Sequence, residues 1–75
     1  MASVVISKII SLQSSFTVSE NEISQFVINN PDFVITNTIT NLAKKIGTSE
    51  ASINRFCKKV GYKGFNNFKI ALAQN

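Results

Sequence analysis

Histidine and tryptophan are absent from this 75-residue sequence, and cysteine, proline, methionine and tyrosine occur once each. Acidic residues are also scarce, limited to Glu20, Glu22, Asp32 and Glu50. Without His there is no Cys/His cluster at metal-ligand spacing, and the scattered carboxylates make no acid–base pair. An enzyme is therefore not expected, and no cofactor or metal is implied. The three glycines, Gly47, Gly61 and Gly64, match no phosphate-binding loop. A lone Cys57 excludes an intrachain disulfide framework and fits a reducing, cytoplasmic setting. With no His to activate it, Cys57 reads as a small core residue instead of a nucleophile. The apolar opening MASVVISKIISLQ is interrupted by Lys8, lacks the features of a signal peptide and is too short to span a bilayer. No membrane association is expected.

What the chain does contain is a globular composition, 44% hydrophobic and free of low-complexity runs. Its length allows one domain with a thin stability margin, because so small a chain buries only about 60% of its unfolded surface. Charge is unevenly spread. From Met1 to Ala43 one lysine faces three acidic residues, whereas from Lys44 to Asn75 seven basic residues face Glu50 alone, within a total of +4. A basic second half suits a polyanionic partner; a solvated basic face is the alternative.

The chain is organised around Ile39 to Val60, ITNLAKKIGTSEASINRFCKKV. Leu42 and Ile46 form one helical stripe, and Ile53, Phe56, Cys57 and Val60 form a second. Between them, Gly47 supplies the positive φ that ends a helix, and Ser49 supplies a cap for the next. Ala43 lies where a larger side chain would hold the two helices apart. The pattern is that of a DNA-binding helix-turn-helix, with Thr48 at a position usually apolar.

Around this pair the spacing predicts an all-α, compact five-helix bundle. A first helix spans about Ser3 to Gln13, with Val5, Ile9 and Leu12 on one face and Ile6 and Ile10 on a neighbouring one. That apolar surface is wide enough to suggest either core burial or a dimer contact. Thr17-Val18-Ser19-Glu20 has the form of a capping box and should start the second helix, which Asn29-Asn30-Pro31 stops. Asp32 to Ile35 suggests one more helical turn, and Thr38 caps the first motif helix. Gly61 should close the second motif helix in a left-handed conformation. Phe65, Phe68 and Leu72 then form a last amphipathic helix over the motif's apolar back, with Asn66 and Asn67 solvated. The chain stops at Gln74-Asn75, as at a domain boundary.

On a helical wheel centred on Ile53, the apolar residues cluster within about 60°, and Ala51, Arg55 and Lys58 fall roughly opposite. Asn54 flanks this outer face on one side, and Ser52 and Lys59 flank it on the other. Arginine can pair with guanine, asparagine with adenine, and a small Ala51 permits close approach or contact with a thymine methyl. Arg55 is the best candidate base reader, with fold support or a phosphate contact as its alternatives. Ser49 and Ser52 could donate to phosphates beside free backbone amides. Lys44, Lys45, Lys58, Lys59 and Lys63 would contact phosphates, unless they are only solvated charges. Glu50 could cap the helix or accept from a cytosine amine.

The run Leu42 to Ala73 resembles the amino-terminal domain of the RpiR family of bacterial transcription regulators. Its pattern, LA-x-x-x-G-x-S-x-A-[TS]-x-x-RFC-[RK]-K-[LV]-G-[FY]-x-G-F followed by K-x-x-LA, is met from Leu42 and Ala43 through Arg55-Phe56-Cys57 to Leu72 and Ala73. Thr17 to Glu20 and Asn30-Pro31 extend the likeness upstream to about Phe16. The resemblance implies a domain that binds double-stranded operator DNA as a homodimer, usually controlling sugar or amino-sugar catabolism genes. In the family a carboxy-terminal sugar-isomerase-like domain senses a phosphosugar; it lies outside these residues, so effector response is not expected here. Asn54 stands where the family is commonly apolar, which points to a feature of this protein's operator. The competing reading is a small helical interaction domain whose basic face meets an acidic protein.

Overall fold

The computed structural model describes residues 4–74, all of whose regular structure is helical. In order the elements are α1 (Val4–Ser11), a 3-10 turn (Gln13–Ser15), α2 (Val18–Asn29), α3 (Pro31–Thr36), α4 (Ile39–Ile46), α5 (Glu50–Val60) and α6 (Phe65–Ala73). The five expected helices are α1, α2, α4, α5 and α6, and the extra turn expected after Pro31 is the short α3. They pack into a body of 28 × 27 × 22 Å.

Helix boundaries follow from local chemistry. Thr17 and Glu20 make the expected reciprocal cap: the Glu20 N–H donates to Thr17 Oγ1 at 3.2 Å and the Thr17 N–H donates to Glu20 Oε1 at 2.8 Å. Thr38 accepts from the Asn41 N–H at 3.2 Å, and Ser49 accepts from the Ser52 N–H at 3.1 Å. Gly47 and Gly61 end α4 and α5 at φ 86° and 111°, the left-handed region that glycine enters most easily. Pro31 does not leave a gap after α2; it opens α3 at once, where its missing N–H costs nothing.

The first helix is shorter than its sequence suggests. Ser11 Oγ donates to the Lys8 carbonyl at 2.8 Å and Ser15 Oγ to the Leu12 carbonyl at 2.7 Å, so side chains compete for backbone acceptors and the chain tightens into the 3-10 turn. Leu12 is consequently only half-buried, whereas Val5 and Ile9 are fully buried. Ser3, the expected start, lies outside the described residues.

The core runs through every helix, from Val5 and Ile9 through Ile23, Val27, Val34 and Leu42 to the apolar faces of α5 and α6. Phe56 is at its centre: Phe16 lies 5.3 Å away and Phe68 6.1 Å away, centroid to centroid. Ser24 is also fully buried, and its hydroxyl has no hydrogen-bond partner among the described residues.

Candidate nucleic-acid interface

The helix pair α4–α5 meets across Gly47-Thr48-Ser49. Gly47 and Thr48 both donate to the Ala43 carbonyl, at 2.8 and 3.0 Å, and Ala43 is buried in the crossing. Ile53, Phe56, Cys57 and Val60 are each no more than 4% exposed, so one side of α5 is spent on the core. Burial lifts the Cys57 thiol to about 12, which keeps it protonated and inert.

The opposite side of α5 is open. Ala51, Arg55 and Lys58 are exposed, and Ser52 and Asn54 are half-buried at its edges. Along one edge runs a short hydrogen-bonded chain: Ser49 Oγ donates to Ser52 Oγ at 2.9 Å, and Arg55 Nη2 donates to the same oxygen at 3.2 Å. The guanidinium is thus steadied through one of its five N–H donors, and the others stay available for a ligand. Arg55 and Ser52 line an open cleft of about 310 Å³ with Thr17, Ser19 and Glu20 at the start of α2.

Glu50 forms no ion pair with Arg55 among the described residues. Its Oε2 accepts from Thr40 Oγ1 at 2.9 Å, which ties the first turn of α5 to α4. Lys44 and Lys45 are exposed in the last turn of α4, where cations favour the carbonyl end of the helix. Lys63 is exposed in the turn after α5.

Two further residues of the expected set are bonded to other parts of the fold. Lys59 Nζ donates to the Ser15 carbonyl at 2.8 Å and to Glu20 Oε1 at 2.9 Å, with the Phe16 ring 5.6 Å from the ammonium. The Thr17 N–H, then Lys59, hold the Glu20 carboxyl below its ordinary value. Asn54 Oδ1 accepts from the Phe65 N–H at 3.0 Å, linking α5 to the start of α6. Neither the Lys59 links nor the Asn54 link was expected from sequence.

Among the described residues no helix is long and apolar enough to cross a membrane, and no group of three His, Cys, Asp or Glu side chains is placed to hold a metal ion.

With this geometry, residues 4–75 match the helix-turn-helix domain of the rpiR family. The chain belongs to the RpiR family. An HTH-type transcriptional regulator of Caldanaerobacter subterraneus is 45% identical over 62 residues, covering 83% of this chain and 22% of that protein. One from Haemophilus influenzae is 39% identical over 69 residues, covering 92% of this chain and 24% of the relative. The chain thus spans about a quarter of the length of these curated relatives. Among solved structures, Vibrio vulnificus NanR in complex with ManNAc-6P superposes with a TM-score of 0.89 at 33% identity, over 92% of this chain and 26% of NanR. The N-terminal domain of ybbH from Bacillus subtilis gives 0.88 at 26% identity, over 99% of this chain and 90% of that one. The RpiR helix-turn-helix also matches the bifunctional protein glk of Burkholderia mallei, at 31% identity over 96% of this chain but only 11% of that protein.

Placing the RpiR pattern on the fold separates its residues by task. Its apolar and glycine positions build the motif: Leu42, Ala43, Phe56, Cys57 and Val60 are buried, and Gly47 and Gly61 turn the chain. Its Ala51, Arg55 and Lys58 positions make the exposed face. Ser19 is an addition that the wheel of α5 alone could not give. The capping box located it in the first turn of α2, but only the packing of α2 on α5 brings it to the cleft beside Arg55.

Proposed function

We propose that this domain binds double-stranded operator DNA sequence-specifically, with α5 in the major groove, as part of a bacterial transcription regulator. One observation carries the reading: α5 buries all four apolar residues of one stripe and presents Ala51, Arg55 and Lys58 outward from a helix anchored at both ends. Arg55 reads a base, with two guanidinium donors directed at one guanine, and Ala51 allows the backbone to approach. Ser52, whose own O–H is not used in the chain with Ser49 and Arg55, flanks the first turn as a phosphate donor, and Ser49 supports it as the cap of α5 and the donor to its oxygen. Lys44, Lys45, Lys58 and Lys63 set affinity and register through phosphates. Glu50 and Lys59 serve the interface indirectly, by holding α5 on α4 and on the start of α2.

The domain acts as a homodimer in the cytoplasm. Val4 and Ile10 of α1 are 65% and 53% exposed, apolar surface that a second copy would cover. The regulated genes belong to sugar or amino-sugar phosphate metabolism, a reading supported by the likeness to NanR, whose structure holds ManNAc-6P. A phosphosugar effector would act through parts of the regulator beyond these residues.

The test is an anisotropy titration of wild type and Arg55→Ala against the promoter upstream of the gene and a scrambled duplex, at two salt concentrations. The promoter should win by at least about tenfold, as specific over non-specific binding does. Arg55→Ala should lose that preference while keeping salt-dependent binding. No binding to either duplex at low salt would instead favour a basic face for an acidic protein partner.

A further inference from the structure

Asn54 lies on α5, yet its carboxamide oxygen is bonded to the start of the helix that follows. The start of α6 has no cap of its own, because Gly64 occupies the cap position. The first amide of α6, at Phe65, donates instead to Asn54 Oδ1 at 3.0 Å, across 11 positions of sequence. The fit around that oxygen is close: a Cβ on Gly64 would come within 3.4 Å of it. Bidentate pairing with adenine needs the oxygen and the nitrogen of the carboxamide aimed together at one base edge, and the bond to the Phe65 N–H orients the oxygen toward α6 instead.

The segment between α5 and α6 is pinned at both ends. Gly61 turns the chain at φ 111°, and the Tyr62 ring packs edge-on against Phe68 at 5.6 Å with Lys8 Nζ 4.7 Å from its centre. The Asn54–Phe65 bond fixes the far end. Between these anchors stands exposed Lys63, on the rim of an open cleft of about 270 Å³ that Asn54, Gly64 and Asn66 also line.

We propose that Asn54 is a positioning residue for DNA binding: by capping α6 from the recognition helix it holds the 61–64 turn so that Lys63 meets a backbone phosphate. This rests on the DNA-binding reading above. It assigns Asn54 a part in affinity that is the same for every sequence, and no part in choosing a base.

The experiment compares wild type, Asn54→Ala, Lys63→Ala and the double variant against promoter and scrambled duplexes across a salt series. Exchange of the Phe65 amide is followed by NMR in the same proteins and in Asn54→Asp, which keeps the acceptor. Asn54→Ala should weaken both duplexes alike and lower the salt slope by about one phosphate's worth, about 0.9. In the Lys63→Ala background the same change should alter affinity by less than about twofold, the scatter within which independent changes add. The Phe65 amide should exchange faster in Asn54→Ala and remain protected in Asn54→Asp. A loss of preference at one base pair, an undiminished effect without Lys63, or an unchanged Phe65 amide would each overturn the positioning role. If wild type binds neither duplex, the DNA reading fails and takes this inference with it. If wild type binds and Asn54→Ala does too, with the same affinity and slope, only the role of Asn54 fails.

Discussion

Adjacent lysines at the end of the recognition helix should behave as different kinds of residue. Lys59 is bonded to the Ser15 carbonyl and to Glu20, and its side chain is 34% exposed. Lys58 is exposed, and its ammonium forms no hydrogen bond or ion pair among the described residues. In Lys59→Met the aliphatic stem survives and the charge is lost. A hydrogen bond from a charged donor contributes about 1.5 kcal/mol or more, and an exposed ion pair adds about 0–1 kcal/mol before salt screening. The expected loss is therefore about 1.5–2.5 kcal/mol. For a domain of this size that is a fall in Tm of at least about 4 °C. Lys58→Met should stay within about 0.5 kcal/mol of wild type, since nothing in the fold depends on it. On DNA the order reverses: Lys58→Met should lower the salt slope by about 0.9, and Lys59→Met should leave it nearly unchanged once binding is measured well below Tm. Melts followed by circular dichroism and salt-series titrations give both quantities. If Lys59→Met melts like wild type and lowers the slope as much as Lys58→Met, the division between fold and phosphate is wrong.

Three further outcomes follow from single features. Ser24→Ala should raise stability by about 1 kcal/mol in urea denaturation, because it removes a fully buried hydroxyl with no partner among the described residues. Gly61→Ala should lower stability by about 1–2 kcal/mol; open space surrounds the site, so the cost is that of a β-carbon at φ 111°. Because Glu20 titrates below its ordinary value in the folded state, its contribution is present at neutral pH and is lost as pH falls through the acid range below 4.5. Glu20→Gln should therefore be less stable than wild type at pH 7 and approach it in acid-titrated melts, whereas a constant gap across that range would contradict the cap and Lys59 links.

The features legible in the sequence were those whose cause is local. The Thr17–Glu20 box, the Thr38 and Ser49 caps and the left-handed Gly47 and Gly61 each involve residues within one turn, so residue type and spacing carry them. The stripe of Ile53, Phe56, Cys57 and Val60 was equally readable, because helical period alone puts those side chains together. The links around the interface were not readable. Lys59 meets a carboxylate 39 positions away, Asn54 an amide 11 away, and Glu50 a hydroxyl 10 away. Each depends on how two helices cross, which no wheel of a single helix contains. The early end of α1 was missed for a different reason: serine hydroxyls competing for carbonyls act against an apolar periodicity that continues through Leu12. Charge asymmetry between the halves indicated a polyanion, but it could not separate a lysine facing solvent from one bonded to the fold.

The central claim is that α5 enters a major groove with Arg55 on a guanine. Dimethyl sulfate methylates guanine N7 in the major groove and adenine N3 in the minor groove, so protection of promoter DNA by this domain distinguishes the two. Binding should protect guanine N7 positions within the site, and Arg55→Ala at saturating concentration should re-expose at least one of them while the rest stay protected. Protection confined to adenine N3, or a guanine pattern unchanged by Arg55→Ala, would contradict it.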